Sequence, residues 1–504
     1  MNSKLLQKNY ENNKERFHIY INKIKNNAPA DIYSIVNTTL ISNTYNTDFP
    51  KIFFSNDSRR KKQNLIISFA INSIRFYARN FYAFLSYFVS FLIFKGVYKK
   101  KDCVPRFVID IFFLVDNINR DNKFTESYFS KLYSVLNEKK IDYVFLVRLY
   151  GVTKNPFKLI KFFKIINQDS RGFLFEFELI GVKDFFCIFE MVLYYPFKTL
   201  RLLQEHNSND DVLFNYALIQ DISKQQFGAF TRYIDGKNIA EIKTILHIYS
   251  WSEFQVIERS FNYAIRERNN HIILHGCQFY LNYETYFNSV IKDIDEHHKS
   301  AFHEVLVNGD FYIKKMKNVK YRAGVALRYS QVFEYHKKKT GQTVVVLGSF
   351  IEQDTRQILL CVSQLGDVLF KPHPTMLIEK FTDVITKNIT VVKDNIYKLF
   401  DDASIVVGTA SGACVEAVAC DISVLVIASQ DNLTANPLAK VGQGKIWDIA
   451  YDKKEVEFKI SALIQYRREH EEEMSKISSW YKENFFIEPT EENIVAAFEL
   501  DRVL

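Results

Sequence analysis

The sequence predicts an α/β protein with two successive doubly wound domains, each built on a parallel sheet, followed by a C-terminal helical extension. Three observations predict it. Apolar runs of strand length alternate with helical segments from residue 106 onwards, and the same alternation starts afresh after a polar break near residue 340. Beyond residue 455 the apolar spacing is that of amphipathic helices. The predicted boundaries are 106–335, 336–455 and 456–504.

Residues 1–105 precede this alternation and are assigned to the first domain as an N-terminal extension. The sequence predicts a strand near Asp31–Thr39 and a Phe-rich helix over Phe81–Phe94 (FYAFLSYFVSFLIF). These 14 residues are too few to span a bilayer, which needs about 20. Two interpretations remain open: a helix buried in the first domain, or an interfacial helix resting on an anionic membrane. The basic residues that follow it are Lys95, Lys99, Lys100 and Lys101.

The first domain is predicted from buried runs separated by helices, a spacing that produces parallel strands. The predicted strands are Phe107–Val115, Tyr143–Arg148, Thr244–Tyr249, His271–Leu274 and a run ending at Asn308-Gly309. The predicted helices are Glu126–Glu138 and Phe254–Arg268.

The second domain starts after the polar break Lys337–Gly341. Its predicted strands are Thr343–Leu347, Asp367–Phe370, Ile389–Val392, Ser404–Val407 and Ser423–Ile427, with helices at Ile396–Phe400 and after Gly412. In open α/β sheets ligands bind beyond the carboxyl ends of the strands. The loops at those ends are therefore the places to look for functional residues.

Composition excludes several classes of protein. The chain has 504 residues, of which 47% are apolar and 25% charged, so it is neither disordered nor a disulfide-stapled scaffold. Its six cysteines form no C-x-x-C pair, which is typical of free thiols in a reducing compartment. The net charge of +8 is spread along the chain, which argues against a nucleic-acid partner. It suits anionic substrates or an anionic membrane surface.

The expected location is the cytoplasm, either in solution or as a peripheral protein at the inner face of the cell membrane, because Met1–Lys25 has no secretory-signal pattern. Three motifs are missing: G-x-G-x-x-G, G-x-x-x-x-G-K-[ST] and G-x-S-x-G. Dehydrogenase, P-loop and α/β-hydrolase activities therefore lack their signatures.

The first candidate motif is Lys371-Pro372-His373-Pro374, directly after a predicted strand. The two prolines stiffen the loop and keep it from starting a helix. A fixed cation beside an imidazole suits a phosphate leaving group, on which charge develops in the transition state. The alternative is a structural proline turn with a solvated lysine.

The second candidate is Gly408-Thr409-Ala410-Ser411-Gly412, between a predicted strand and a predicted helix. Backbone amides at a helix start can bind a phosphate. Glu416 lies on that helix, where it could hold a ribose or a base edge, and Ser349 ends the first strand of the same domain. The alternatives are a plain N-cap for Ser411 and an ordinary exposed carboxylate for Glu416. The predicted donor-binding set also includes Pro374 and Arg328.

The candidates for general acid–base catalysis lie in the first domain. Glu253 lies where a strand passes into a helix, and His275 ends the next predicted strand. Glu253 could instead complement the helix dipole, His275 could be a core residue, and Arg328 could be a surface arginine. Asp110 is an unusual carboxylate inside an apolar strand, and Asp116 at the end of that strand is a weaker acid–base candidate. A D-x-D pattern with paired histidines (293–298) lies in a charged, helix-period run, so a solvated face is favoured over a metal site.

These motifs together resemble bacterial surface-carbohydrate glycosyltransferases of the GT-B type, in which two Rossmann-like domains face each other across a cleft. The resemblance rests on K-P-H-P at 371–374, the Ser-containing loop at 408–412 and the E-A helix after it. It covers residues 107–429. The group includes Kdo and sialic acid transferases with an HP motif and, more distantly, teichoic-acid glycerophosphotransferases. Glu253-x-Gln255-x-x-Glu258, His275-Gly276, Asn308-Gly309 and A-L-R-Y at 326–329 are similar to a branch of surface-carbohydrate biosynthesis proteins.

The resemblance implies a transferase that takes a sugar from a nucleotide donor, with a CMP-linked acidic sugar favoured, and adds it to a polysaccharide or lipid-linked glycan. Phe254 and Ile257 depart from that branch, which tends to have Asn and Trp there. The implied roles are nucleotide-phosphate contact for His373 and Ser411, with no protein-bound metal or cofactor. The second domain would bind the donor and the first the acceptor. Two alternatives stay open: a CDP-glycerol or CDP-ribitol phosphotransferase, and a non-catalytic glycan-binding subunit.

Overall fold

The structure, a computed structural model, describes most of the chain. The described residues are 3–44, 46–55, 64–99, 106–113, 118, 123–149, 155–268, 271–336 and 341–502. Asp116, Lys100, Lys101 and most of the predicted polar break at 337–341 lie outside them.

The described residues of the N-terminal extension form helices joined by short loops and contain no strand. The extension contains α1 (Ser3–Asn27), α2 (Ile32–Ile35), α3 (Thr38–Ile41), α4 (Phe49–Ser55) and α5 (Leu65–Val97). The predicted strand at Asp31–Thr39 is therefore wrong. The Asp31 and Asn37 side chains accept hydrogen bonds from the amides of Ser34 and Leu40 and so begin two short helices. The predicted Phe-rich helix is the C-terminal part of α5, which starts 16 residues earlier, at Leu65.

The first domain is built on a seven-stranded sheet in the order β3-β2-β1-β4-β5-β6-β7, in which every pairing is parallel. Phe107, Ile109 and Ile111 of its first strand pack on one face with α5, while Val108 packs on the other face. Its elements are β1 (Phe107–Phe113), α6 (Ser130–Glu138), β2 (Tyr143–Leu149), α7 (Pro156–Ile166), β3 (Gly172–Phe175), α8 (Glu176–Leu179), α9 (Val182–Thr199), α10 (Asn209–Asp221), α11 (Gly228–Ile239), β4 (His247–Trp251), α12 (Val256–Arg268), β5 (Ile273–Gln278), α13 (Asp293–His297), β6 (Glu304–Val307), β7 (Lys320–Ala323) and α14 (Gln331–Glu334).

The second domain is a six-stranded parallel sheet in the order β10-β9-β8-β11-β12-β13. Its strands are near-continuous apolar runs because both of their faces are covered. Its elements are β8 (Thr343–Leu347), α15 (Glu352–Val362), β9 (Val368–Lys371), β10 (Ile389–Val391), α16 (Ile396–Asp402), β11 (Ala403–Gly408), α17 (Ala413–Ala419), β12 (Ser423–Ile427) and β13 (Trp447–Ala450).

The C-terminal helices are α18 (Lys453–Glu469), α19 (Glu471–Phe485) and α20 (Glu491–Ala497). They return the chain to the first domain. The Ile487 amide donates to the Asn308 carbonyl, and the Tyr249 hydroxyl donates to the Phe498 carbonyl. The predicted fold class is confirmed: two doubly wound domains face each other and a helical extension follows, with its last helix packed on the first domain.

Candidate functional site

Each sheet has one point at which the strand order reverses, between β1 and β4 in the first domain and between β8 and β11 in the second. Ligands of doubly wound proteins bind in the crevice at the carboxyl side of such a point. The loop after β4 carries Glu253, and the loop after β11 carries residues 409–412. Two of the sequence-predicted motifs therefore lie at the two positions that the topology favours for a ligand.

The loop after β11 is shaped by backbone strain. Ala410 has a φ of +46°, a conformation that costs a non-glycine residue free energy, and its amide donates to the Ala435 carbonyl at 2.9 Å. The Thr409 hydroxyl is buried and has no hydrogen-bond partner among the described residues. The first hydrogen bond of the following turn runs from the Cys414 amide to the Ser411 carbonyl at 3.1 Å. The amides of residues 411–413 therefore precede the helical ladder and can meet an anion.

Ser411 is not the N-cap of α17. That position belongs to Gly412, and no side chain caps it. A Cβ atom on Gly412 would lie 3.2 Å from the Leu281 side chain of the first domain. The absence of a side chain at 412 thus allows the loop to approach the other domain closely, which places Ser411 at the boundary between the two domains.

The K-P-H-P loop follows β9, beside the carboxyl end of β8. A Cβ atom on Gly348 would lie 2.8 Å from the His373 amide nitrogen, so glycine at 348 lets this loop pass closely. The Thr375 amide donates to His373 Nδ1 at 3.3 Å, which leaves the ring proton on Nε2 in the neutral imidazole. Burial lowers the pKa of His373, so the ring is neutral at pH 7 and can donate from Nε2. Pro374 is exposed just after it.

Lys371 is half-buried at the end of β9, and its Nζ donates to the Asp394 carbonyl at 2.6 Å. Burial lowers its pKa. One hydrogen bond leaves two of the three ammonium protons for other acceptors. Strands lie about 4.8 Å apart, so the ends of β9 and β11 are about 10 Å apart across β8. Lys371 and Ser411 thus flank the carboxyl end of β8 from opposite sides.

Glu416 and Ser349 are buried and already engaged. Glu416 accepts a hydrogen bond from the Tyr397 hydroxyl, and burial raises its pKa against the opposing effects of Tyr397 and Arg328. It is not the exposed helix carboxylate that the alternative interpretation expects. The Ser349 hydroxyl accepts from the Ile351 amide at 3.0 Å and shapes the turn into α15. The whole residue is buried, so Ser349 offers no exposed atom to a ligand in this structure.

Glu253 is half-buried in the turn between β4 and α12. Its Oε2 accepts hydrogen bonds from Gln255 Nε2 at 2.7 Å and from the Tyr286 hydroxyl at 3.1 Å. The next residue, Phe254, has a φ of +55°, and the Arg259 guanidinium stacks on its ring at 3.7 Å. The chain thus passes from Glu253 into α12 through a strained residue.

Glu258, not Glu253, is the carboxylate that bonds a backbone amide at the start of α12. Its carboxylate accepts from the Gln255 amide at 2.8 Å. The helix-dipole interpretation of Glu253 therefore loses its basis, because a different carboxylate occupies that place.

Arg328 lies between the domains. Its guanidinium is 5.0 Å from the ring centre of Tyr128 and 5.3 Å from that of Trp251, both in the first domain. The same positive charge lowers the pKa of Glu126 in the first domain and of Glu416 in the second, in both cases against the larger effect of burial. Arg328 is exposed and its charge acts on carboxylates of both domains, so it is placed to contact an anionic ligand in the cleft.

His275 is not part of this site. Strand β5 continues three residues past it, so His275 is buried in the sheet, with its ring stacked on Tyr249 at 4.1 Å and its Nδ1 3.4 Å from Glu304. Burial lowers its pKa. It occupies the core position that the alternative interpretation described, and no ligand can reach it without opening the sheet.

The remaining acidic candidates are structural or undescribed. Asp110 is buried in β1 and forms ion pairs with Arg148 and Arg232. In the 293–298 run, Asp295 is buried against Arg259 and Lys25. Within the described ranges there is no group of three or more His, Cys, Asp or Glu side chains placed to hold a metal ion.

A cavity of about 900 Å³ adjoins these loops and involves residues that the sequence did not indicate. Its walls come from both domains and from α1, which closes one side with Tyr10 and His18. Two parts of its lining flank residues of the candidate site. Thr285 and Phe287 lie on either side of Tyr286, which holds Glu253, and Thr434 and Asn436 lie on either side of Ala435, which holds Ala410. The basic lining residues of the cavity are Lys292, Lys314 and Lys440.

No protein-family model and no curated protein sequence matches this chain. Solved structures that it resembles include the wall teichoic acid polymerase TagF, at 8% identity and a TM-score of 0.39 over 86% of this chain and 98% of that one. UDP-GlcNAc 2-epimerases from Neisseria meningitidis and Methanocaldococcus jannaschii match at 10% identity, with TM-scores of 0.43 and 0.41, over 78% of this chain and 100% and 99% of theirs. Likeness at this level carries no argument about activity or ligand, and the fold stands on the strand orders given above.

Proposed function

We propose that this protein is a glycosyltransferase of the GT-B type that moves a sugar from a nucleotide-activated donor to a glycan or lipid-linked acceptor. One observation carries the proposal: Glu253 and the 409–412 loop occupy the ligand positions of two facing sheets, and Gly412 brings the second loop against Leu281 of the first domain. A carboxylate and an anion-binding loop across one cleft is what group transfer from a phosphate leaving group requires.

The second domain binds the donor in this proposal. Lys371, His373 Nε2–H, the Thr409 hydroxyl and the amides beside Ser411 would stabilise the departing phosphate with fixed charges and dipoles. Arg328 would clamp a second anionic group from across the cleft. The resemblance of the motifs favours a CMP-linked acidic sugar as the donor.

The first domain binds the acceptor, and Glu253 would accept the proton of its hydroxyl group as general base. Tyr286 and Gln255 hold the Glu253 carboxylate in place from one side. The adjoining cavity has the polar, aromatic lining that a glycan needs, with Tyr283 and Asn282 beside Tyr312.

A thermal-shift screen with CMP, CDP, UDP, GDP and TDP tests the donor site directly. We expect one nucleotide, with CMP favoured, to raise the melting temperature. A ligand at 100 times its Kd adds about 2.7 kcal/mol to the free energy of unfolding. If none of the five shifts the melting temperature, the proposal loses its donor site. If a nucleotide binds, the mass of the reaction product distinguishes a glycosyltransferase from the two alternatives. A phosphotransferase adds a phosphate to the acceptor, and a non-catalytic subunit forms no product.

We expect Ser411→Ala to weaken nucleotide binding by about 1–2 kcal/mol, the size of one charge-assisted hydrogen bond, without lowering the melting temperature. The melting temperature should hold because Ser411 does not cap α17. Calorimetric titration gives the affinity. Ser423→Ala is a matched control, since Ser423 lies at the opposite, amino end of the same sheet. Unchanged affinity in the Ser411 variant would remove this residue from the donor site.

A further inference from the structure

Helix α5 exposes apolar side chains to solvent along its length. Among the described residues it is the one helix that is long and apolar enough to cross a membrane, but 28% of its most apolar window is buried against the protein. Ile74 is 68% exposed and Leu85 is 62% exposed. Beyond Ile66, Tyr82 and Phe88, six exposed aliphatic side chains point away from the protein along this helix: Ile67, Ile71, Ile74, Leu85, Val89 and Leu92.

The buried polar residues of α5 are all uncharged, whereas its charged residues Arg75, Arg79 and Lys95 are exposed. Asn72 and Asn80 are buried and donate to the Ser68 and Phe76 carbonyls of their own helix, and Asn72 also donates to Gln220. An ordinary surface helix instead turns its uncharged polar residues toward water and its apolar residues inward. The outward face of α5 is therefore built for apolar surroundings.

Helix α9 extends this face. It runs antiparallel to α5, because Phe69 contacts Phe197 at one end and Phe88 contacts Phe185 at the other. Phe186 is 73% exposed and Phe197 is 56% exposed. We define the α5–α9 face as the six outward residues of α5 given above together with Val182, Phe186, Phe189, Leu193 and Phe197. Single exposed apolar residues are common on soluble proteins, but a continuous patch on two neighbouring helices marks an interaction surface.

The helix cannot leave the protein to span a bilayer while the domain is folded. Its buried residues are distributed from Asn72 to Phe94, and Phe76, Phe91 and Phe94 belong to the core of the first domain. At 1.5 Å per residue its 33 residues extend for about 50 Å, so the exposed side can lie flat on a surface over that length.

The net charge around the face is positive. Helix α7 packs beside the end of α5 through Phe163 and Phe94, and neither helix contains Asp or Glu. Their charged residues are Arg75, Arg79 and Lys95 on α5, and Lys158, Lys161 and Lys164 on α7. Helix α9 carries two acidic and two basic residues, so the three helices together are positively charged.

We propose that the α5–α9 face rests on the surface of an anionic phospholipid bilayer, with its apolar side chains among the acyl chains and the α7 lysines against the headgroups. Apolar burial and basic contacts reinforce each other in this arrangement. The surface contains none of the residues of the cleft, so this inference goes beyond the proposed function and does not depend on it. It identifies a partner through which a lipid-linked acceptor could be reached.

Co-sedimentation of the full chain with vesicles tests the inference. We expect binding to vesicles of mixed phosphatidylglycerol and phosphatidylcholine, and weaker binding when salt is raised, because exposed charge contacts are screened over about 8 Å at physiological ionic strength. The variant Leu85→Asn/Leu92→Asn/Phe186→Asn should bind at least tenfold more weakly. The variant Lys158→Gln/Lys161→Gln/Lys164→Gln should lose its preference for phosphatidylglycerol. Phe458→Asn, on α18 and 74% exposed, is the matched control and should bind as the wild type does.

Two further measurements separate the outcomes. Leu85→Trp keeps an apolar side chain on the face, and its fluorescence should be quenched by brominated lipid, whereas that of Phe458→Trp should not. The triple Asn variant should melt at the wild-type temperature without any nucleotide, which shows that it is folded and keeps this test separate from that of the donor site. Absence of vesicle binding by the wild type overturns the inference. So does a wild-type dimer in light scattering that the triple Asn variant abolishes, because the face would then be an interface between two copies of the chain.

Discussion

Replacing Glu253 by glutamine should lower turnover about a thousandfold, within the range that a general base contributes, while nucleotide affinity stays unchanged. Glutamine has the same shape, and its side-chain oxygen can still accept from Gln255 and Tyr286, but it cannot take the proton of an acceptor hydroxyl. Initial rates of product formation, followed by mass spectrometry with the donor that the nucleotide screen identifies, give the turnover.

The control is Glu258→Gln, five residues further along the same turn and helix. Glu258 is buried, bonds Arg148 Nη1 at 2.7 Å and receives the Gln255 amide. Breaking a buried ion pair costs about 3–5 kcal/mol, so this variant should lose stability, whereas Glu253→Gln should melt as the wild type does. A Glu253→Gln protein with full turnover would show that Glu253 only shapes the turn.

Much of the fold follows from the sequence because strands that are covered on both faces are continuous apolar runs. Strands such as Thr343–Leu347 and Ser423–Ile427 match their predicted limits for this reason. Three strands were not predicted: β3, β7 and β13, each only four residues long. Each lies at or next to the edge of its sheet, where a short strand of mixed composition such as Lys320–Ala323 carries no distinct periodicity.

Prediction of the candidate site depends more strongly on knowing where each strand ends. The position of Glu253 is predictable because it follows a strand, whereas the positive φ of Phe254 is not, because an aromatic residue is not expected in that conformation. The position of His275 differs from its prediction for the converse reason. The sequence predicts a strand that ends at Leu274, with His275 on the ligand side of the sheet, but the strand continues to Gln278 and buries His275.

Residues of the cavity wall and the aromatic platform under Arg328 could not be predicted at all. Tyr286 reaches Glu253 from 33 positions away, and Tyr128 and Trp251 meet Arg328 only once the strands are ordered. Helix α1 is the extreme case, because it lies at the start of the chain and closes a cavity whose other lining residues begin at Gln278. Contacts of this kind are set by topology and leave no local pattern in the sequence.

His373 should contribute to turnover through its Nε2–H group. Its Nδ1 accepts from the Thr375 amide and lies 2.8 Å from the Thr375 hydroxyl, so the loop fixes both the tautomer and the ring orientation. A neutral ring costs less to bury than a charged one, and it still offers one donor to an oxygen on which charge develops. Lys371 then supplies the net positive charge, which separates the roles of the two residues.

We expect His373→Ala to lower turnover about a hundredfold or more, the loss that follows from removing one preorganised donor to a developing charge. The melting temperature should change little, because the ring lies in a loop and outside the apolar clusters of the domain. His373→Gln, which restores an N–H donor, should recover part of the loss. His470→Ala, at the junction of α18 and α19, is the matched control and should leave turnover unchanged. A folded His373→Ala protein with normal turnover would remove the imidazole from the reaction, and a large fall in melting temperature would instead assign it to the proline-stiffened turn.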